Sequence, residues 1–154
     1  MAALQTELGG LDIGPLLRRA PRLISRSPEH VRCAMAELRA LTDTVGVSAE
    51  ALVETQPSLL LYSSVGGAVG PKLAALRALT SEEEWEKLAG ARSLSRILTC
   101  SLERIEQRLS RRPAQGARTG VAWRILTTEA KFDEWLRARG GKVEVVGARG
   151  EGEG

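Results

Sequence analysis

Histidine and cysteine are nearly missing from this chain: His30, Cys33 and Cys100 are all it has. With one imidazole, most metal and general-base schemes lose their usual residue, and acid–base work would fall to carboxylates alone. The two cysteines stand sixty-seven positions apart, too sparse for a disulfide framework and wrongly spaced for zinc, so they read as small buried hydrophobes. No pairing of nucleophile and base stands out, so the chain reads as a non-enzyme with no cofactor and no small-molecule substrate. Gly66, Gly67 and Gly70 lie in SVGGAVGP, but neither GxGxxG nor GxxxxGK[ST] is present, and the stretch reads as a loosened corner between helices rather than a phosphate loop.

Aromatic residues make up only 3% of the chain, while Leu, Ala, Arg and Glu dominate. Unbranched side chains lose little rotamer freedom in a helix, so this composition predicts an all-α fold. Trp85, Trp123, Phe132 and Trp135 sit beside apolar helical residues and read as core rather than as base-stacking groups. No apolar run approaches the roughly 20 residues of a membrane span, so no membrane partner is expected. The opening MAALQTELGG carries Glu7 and no arginine. It therefore resembles neither a transit peptide nor a secretory signal; a targeting segment is either not used or not within these residues. The closing GGKVEVVGARGEGEG offers little to bury and reads as a disordered tail, with a short strand at Val143–Val146 as the lesser alternative.

What the chain does have is a repeat. PRLISRS from Pro21 returns thirty-six residues later as PSLLLYS, and in degraded form as SRILTCS from Ser95, where serine replaces the proline, and the three stretches are expected to form equivalent helix-to-helix corners. AELRAL from Ala36 returns as AALRAL from Ala74, so the second copy is two residues longer. Proline has no N–H and disfavours a helical residue before it, so the helices ending in LLRRA and LVETQ should stop at Pro21 and Pro57. Ser27 is placed to cap the next helix, with Pro28 at its first position and Glu29 near the positive end of the dipole. Val31, Met35, Leu38 and Leu41 then recur at helical spacing up to about Val45 and Gly46, after which Ser48 caps the next unit. A period of 36 to 38 residues built as helix, proline corner and helix predicts an α-solenoid in one domain. Further on, Glu82, Glu83, Glu84 and Glu86 should open a helix behind Thr80 or Ser81.

The P-x-L-L-x-x-S corner after a short helix resembles the repeats of the mitochondrial transcription termination factor (mTERF) family. So does the ordered pair of SLERIEQRLSRR from Ser101 and RILTTEAKFDEWL from Arg124, which is similar to that family's basic helix and its closing short helix with a phenylalanine. The resemblance covers about residues 11–137. It leaves 1–10 as an N-terminal extension and 138–154 as a glycine-rich tail, in either a short member or the C-terminal part of a longer one. It implies a superhelix of mTERF-type repeats in mitochondria or chloroplasts, monomeric, binding double-stranded DNA or RNA to control organelle transcription, including termination, or RNA maturation. A helical scaffold for another protein is the competing reading.

The net charge of +3 says little, but its distribution says more. From Arg92 to Arg118, seven arginines face only Glu103 and Glu106. On the helix expected from Ser101, Leu102, Ile105 and Leu109 share one face, and Arg104, Arg108, Arg111 and Arg112 form a stripe beside it. Guanidinium groups suit bidentate contact to phosphate. These four and Arg96 are the expected nucleic-acid contacts. They are joined by Arg26 and Arg32 from a second cluster that also holds Arg18, Arg19 and Arg22; a merely solvated face is the alternative for both groups. Tyr62, at the corner position of Arg26, reads as partly buried.

Overall fold

The computed structural model describes residues 2–90, 92–111 and 120–140, and these contain ten α-helices, two 3-10 turns and no strand. The all-α expectation therefore holds for the described residues. Of the tail set at 138–154, only 138–140 are described, where they close the last helix; Val143–Val146 lie outside.

Two copies of the repeat form the same local structure for the same local reasons. After α1 (Ala2–Glu7), Asp12 caps α2 (Ile13–Arg19), its carboxylate accepting from Gly14 N at 3.1 Å. At Ala20 the chain leaves the helix (φ −137°, ψ 74°) and enters a 3-10 turn, Pro21–Ser25, termed corner I. Ser27 then caps α3 (Pro28–Asp43), accepting from His30 N at 3.1 Å, with Pro28 in the first turn where its missing N–H costs nothing. In the next copy Ser48 caps α4 (Ala49–Thr55), and Gln56 leaves the helix at φ −137°, ψ 77°. Corner II, Pro57–Leu61, follows, and Ser64 caps α5 (Val65–Leu79). Torsions at Ala20 and Gln56 agree within a few degrees, because both precede a proline that forbids continuation of the helix.

The third copy departs from this pattern. Ser81 forms a capping box with Glu84 to open α6 (Glu82–Ala89), as the acidic cluster suggested. Without a proline, the segment aligned with the corners becomes a short α-helix, α7 (Ser93–Ile97), with Ser95 inside it and its hydroxyl donating to Arg92 O at 2.9 Å. Ser101 caps α8 (Leu102–Ser110). The capping serines Ser27, Ser64 and Ser101 are each thirty-seven residues apart, a more regular marker than the proline.

SVGGAVGP is not the loosened corner expected from its glycines but the first two turns of α5. Its exposed amides have partners: Glu37 Oε2 accepts from Gly66 N at 2.8 Å and Ser64 Oγ from Gly67 N at 3.1 Å. These are the donors a helix start leaves open, and satisfying them offsets the cost of glycine in a helix. Pro71 lies on the exposed side.

The helices that follow the corners pack in order, α3 on α5 and α5 on α8, with α1 against α3. Corner I packs on corner II, and α4 on α7. One continuous core runs between these elements, through Val31, Met35 and Leu38, then Leu59, Leu60, Val69 and Leu76, then Leu94, Ile97 and Ile105. Leu4 and Leu8 are buried in it too, so the segment set apart as an extension contributes to the core. Cationic side chains of one copy cap carbonyls that the next corner leaves without helical partners. Arg19 Nη1 donates to Glu54 O at 2.6 Å, Arg26 Nη2 to Leu61 O at 3.2 Å, and Lys72 Nζ to Leu98 O at 2.8 Å. His30 Nε2 lies 3.0 Å from Leu60 O. Burial pushes the Lys72 amine below the ordinary lysine pKa, with Cys100 opposing; the Tyr62 ring, half-buried as expected, lies 5.4 Å away.

The chain ends, among described residues, with α9 (Val121–Leu126) and α10 (Glu129–Ala138), joined through extended residues Thr127 and Thr128. Phe132, Trp135 and Leu136 of α10 form a separate apolar cluster. Trp85 is buried as expected, whereas Trp123 is 39% exposed. The cysteines also differ from expectation: Cys33 is exposed and Cys100 half-buried.

Candidate nucleic-acid interface

On α8 the expected geometry is present. Ser101 Oγ accepts from Arg104 N at 3.2 Å, Ile105 and Leu109 are buried, and the arginines run alongside. What the stripe faces is different. Arg104 donates through Nε to Ile125 O at 2.8 Å and through Nη2 to Thr127 O at 2.6 Å. Arg108 donates through Nη1 to Arg124 O at 3.0 Å and through Nη2 to Glu129 Oε2 at 2.7 Å, with its guanidinium 4.2 Å from the Phe132 ring centroid. Arg111 sits 3.6 Å from Glu129 Oε1 and 3.8 Å from Asp133 Oδ1. Arg112 lies outside the described residues.

The reason is the end of α9. Its last carbonyls lack helical partners, and a guanidinium, with five donors in a rigid fork, can satisfy several at once. With its side chain 2% exposed, Arg108 has no surface to offer a phosphate in this conformation, which corrects the outward-facing stripe read from the sequence. Sequence reasoning also passed over Arg124. Its side chain is 9% exposed, with Nη1 at 3.6 Å from Glu84 Oε2 and Nη2 at 3.4 Å from Leu109 O. The one signal available was an arginine set between Trp123 and Ile125 in an otherwise apolar short helix. Glu129 and Asp133, one turn apart on α10, were likewise missed; the i, i+4 spacing that puts both carboxylates on one face was legible.

Other expected contacts stay outside. Arg26, Arg32 and Arg96 are exposed, as are Arg18, Arg19, Arg22 and Arg92. Arg32 pairs at 3.3 Å with Glu29, both well solvated, a contact worth little. Arg19 commits one donor to the end of α4 and Arg26 one to corner II. By repeat register, Arg18 and Arg22 of the first copy correspond to Arg92 and Arg96 of the third, while the second copy has Glu54 and Ser58 there. Ile24, at 63% exposure, stands among the first group.

An open cleft of about 550 Å³ lies elsewhere, between the loop at Thr44–Gly46 and α6. Of its charged lining residues Arg77, Glu82 and Glu86, Arg77 is paired with Glu82 at 2.9 Å and lies over Trp85. No cluster of His, Cys, Asp or Glu among the described residues could hold a metal ion, and no described helix is long and apolar enough to cross a membrane. Comparison with family models, with curated proteins and with solved structures finds no match for this chain.

Proposed function

We propose that the chain is an α-solenoid of mTERF-type repeats that binds nucleic acid, duplex DNA before RNA, without catalysing a reaction, and that it acts in organelle transcription, including termination, or in RNA maturation. The organelle, mitochondrion or chloroplast, follows from the family resemblance. The near-identical backbone at Ala20 and Gln56 and the thirty-seven-residue spacing of the capping serines support the repeat reading.

The observation that carries the binding reading is the exposed arginine set on α2, corner I, the first turns of α3, and around α7. It includes Arg26, Arg32 and Arg96 and returns at the same repeat positions as Arg18/Arg92 and Arg22/Arg96. Contacts of this kind go to the phosphate backbone and carry no base information. In this reading Arg104, Arg108 and Arg111 do not contact nucleic acid while α9 and α10 cover them. The competing reading is a helical scaffold for another protein, which would bury Ile24, the apolar side chain exposed within this same patch.

The test is a duplex-binding titration across salt concentrations with Arg18, Arg22, Arg92 and Arg96 all replaced by alanine. The log–log salt slope should flatten by about 0.9 for every phosphate that no longer meets an arginine, with affinity falling about equally for unrelated sequences. A folded variant with wild-type affinity and slope sinks this placement of the interface. Binding by neither protein at low salt sinks the nucleic-acid reading itself.

A further inference from the structure

The most basic stripe of the sequence is covered by an acidic helix. Arg108 of α8 and Arg111, which caps the end of that helix, are met by Glu129 and Asp133 of α10 at 2.7, 3.6 and 3.8 Å. Carboxylates and phosphates make the same charge-assisted bonds to guanidinium. The attachment of α10 is of a kind that can open. Its apolar residues form a cluster apart from the main core, its connection to α9 is two extended residues, and Glu129, the carboxylate that holds both arginines, is 59% exposed and so open to competing ions.

We propose that α10 is an autoinhibitory cover: its carboxylates stand in for the phosphate backbone on Arg108 and Arg111, and the helix swings away about Thr127–Thr128 when a duplex takes those arginines. This rests on the nucleic-acid-binding reading above and adds a second, conditional surface to it. Phe132, Trp135 and Leu136 lose their shelter on opening, which holds the closed state as the resting one. A duplex shifts the population only by what it gains at the uncovered stripe, so opening requires several phosphates engaged together. Arg104, tied to Ile125 O and Thr127 O, stays with α9 and keeps the joint in place, and Arg108 keeps Nη1 on Arg124 O, so opening releases its Nη2 edge to a phosphate.

Hydrogen exchange of the wild-type full chain, with and without a short mixed-sequence duplex at low salt, reads this directly. The expected result is that amides of α10 exchange about tenfold faster with duplex bound while those of α3 and α5 keep their protection. Bound duplex with α10 equally or better protected overturns the cover. A second arm uses the double variant Glu129→Gln with Asp133→Asn, which removes the internal competitor but keeps the shape. It should bind duplex about fivefold to tenfold more tightly than wild type at low salt, with the log–log slope unchanged, because the same arginines meet phosphate in both complexes. Unchanged affinity in a folded variant overturns the proposal; if circular dichroism shows the variant unfolded, the wild-type exchange result decides. Duplex binding by wild type with α10 unmoved removes the cover alone, whereas absence of binding by both proteins removes the nucleic-acid reading with it.

Discussion

Replacing Arg108 by alanine should destabilise the chain by about 2–4 kcal/mol, far more than is usual for an arginine on an amphipathic helix. Three effects make up that figure. Arg124 O, which takes Nη1 at 3.0 Å, becomes a buried acceptor without that donor, at about 1–3 kcal/mol. The guanidinium resting 4.2 Å from the Phe132 centroid contributes about 1 kcal/mol in a desolvated setting. The Glu129 pair adds less than a buried pair would, because that carboxylate is 59% exposed and rehydrates when released. Urea denaturation followed by circular dichroism measures the sum, and the same alanine replacement at exposed Arg96 serves as reference, expected within about 0.5 kcal/mol of wild type. A double-mutant cycle with Glu129→Gln should return a coupling of about 1 kcal/mol, since the two residues share one hydrogen bond. An Arg108→Ala cost below about 0.5 kcal/mol would place the side chain in solvent and refute the inward stripe.

Leu38→Ala and Leu98→Ala should each cost about 2–5 kcal/mol by the same measurement, as both side chains are fully buried. Ser27→Ala, Ser64→Ala and Ser101→Ala should each cost about 1 kcal/mol, because each serine accepts the amide of the third residue beyond it; a neutral result at one site would show that its helix start finds another acceptor. The hydrogen bond from Arg39 to Glu50, at 2.7 Å, holds the Glu50 carboxyl below its ordinary value of 4.5. Its contribution is therefore complete above pH 4.5 and lost as pH falls through the lower folded value. At 40% side-chain exposure it is about 0.5 kcal/mol or less. Glu50→Gln should remove that much of the acid dependence seen in denaturation midpoints between about pH 5 and pH 3.

Much of this architecture was legible because its causes act within one turn of chain. Pro21 and Pro57 stop the helices at the residues before them, and Ser27 and Ser48 cap because their hydroxyls reach amides three residues on. Where two local rules competed, the reading failed. Three glycines in SVGGAVGP signalled a loop, yet α5 forms: Ser64 caps it, Glu37, twenty-nine residues before Gly66, accepts from its amide, and Val65, Val69, Leu73 and Leu76 are buried along it. The third corner failed for the opposite reason. The alignment carried a proline's meaning onto Ser95, and a serine can be helical.

For the candidate site, sequence alone determined the stripe itself: residues 104, 108 and 111 fall on one face of a helix by periodicity, and Ser101 starts that helix at the right place. Which way the stripe faces was decided by the tertiary fold. The acceptors of Arg104 lie twenty-one and twenty-three residues away on α9 and just beyond it, and Glu129, on α10, is twenty-one residues from Arg108. A guanidinium takes phosphate, carboxylate or bare carbonyl with similar geometry, so the arginine's identity cannot say which of them it meets. Only the packing of α9 and α10 across α8 chooses, by bringing unpaired carbonyls and two carboxylates to groups that would otherwise face water.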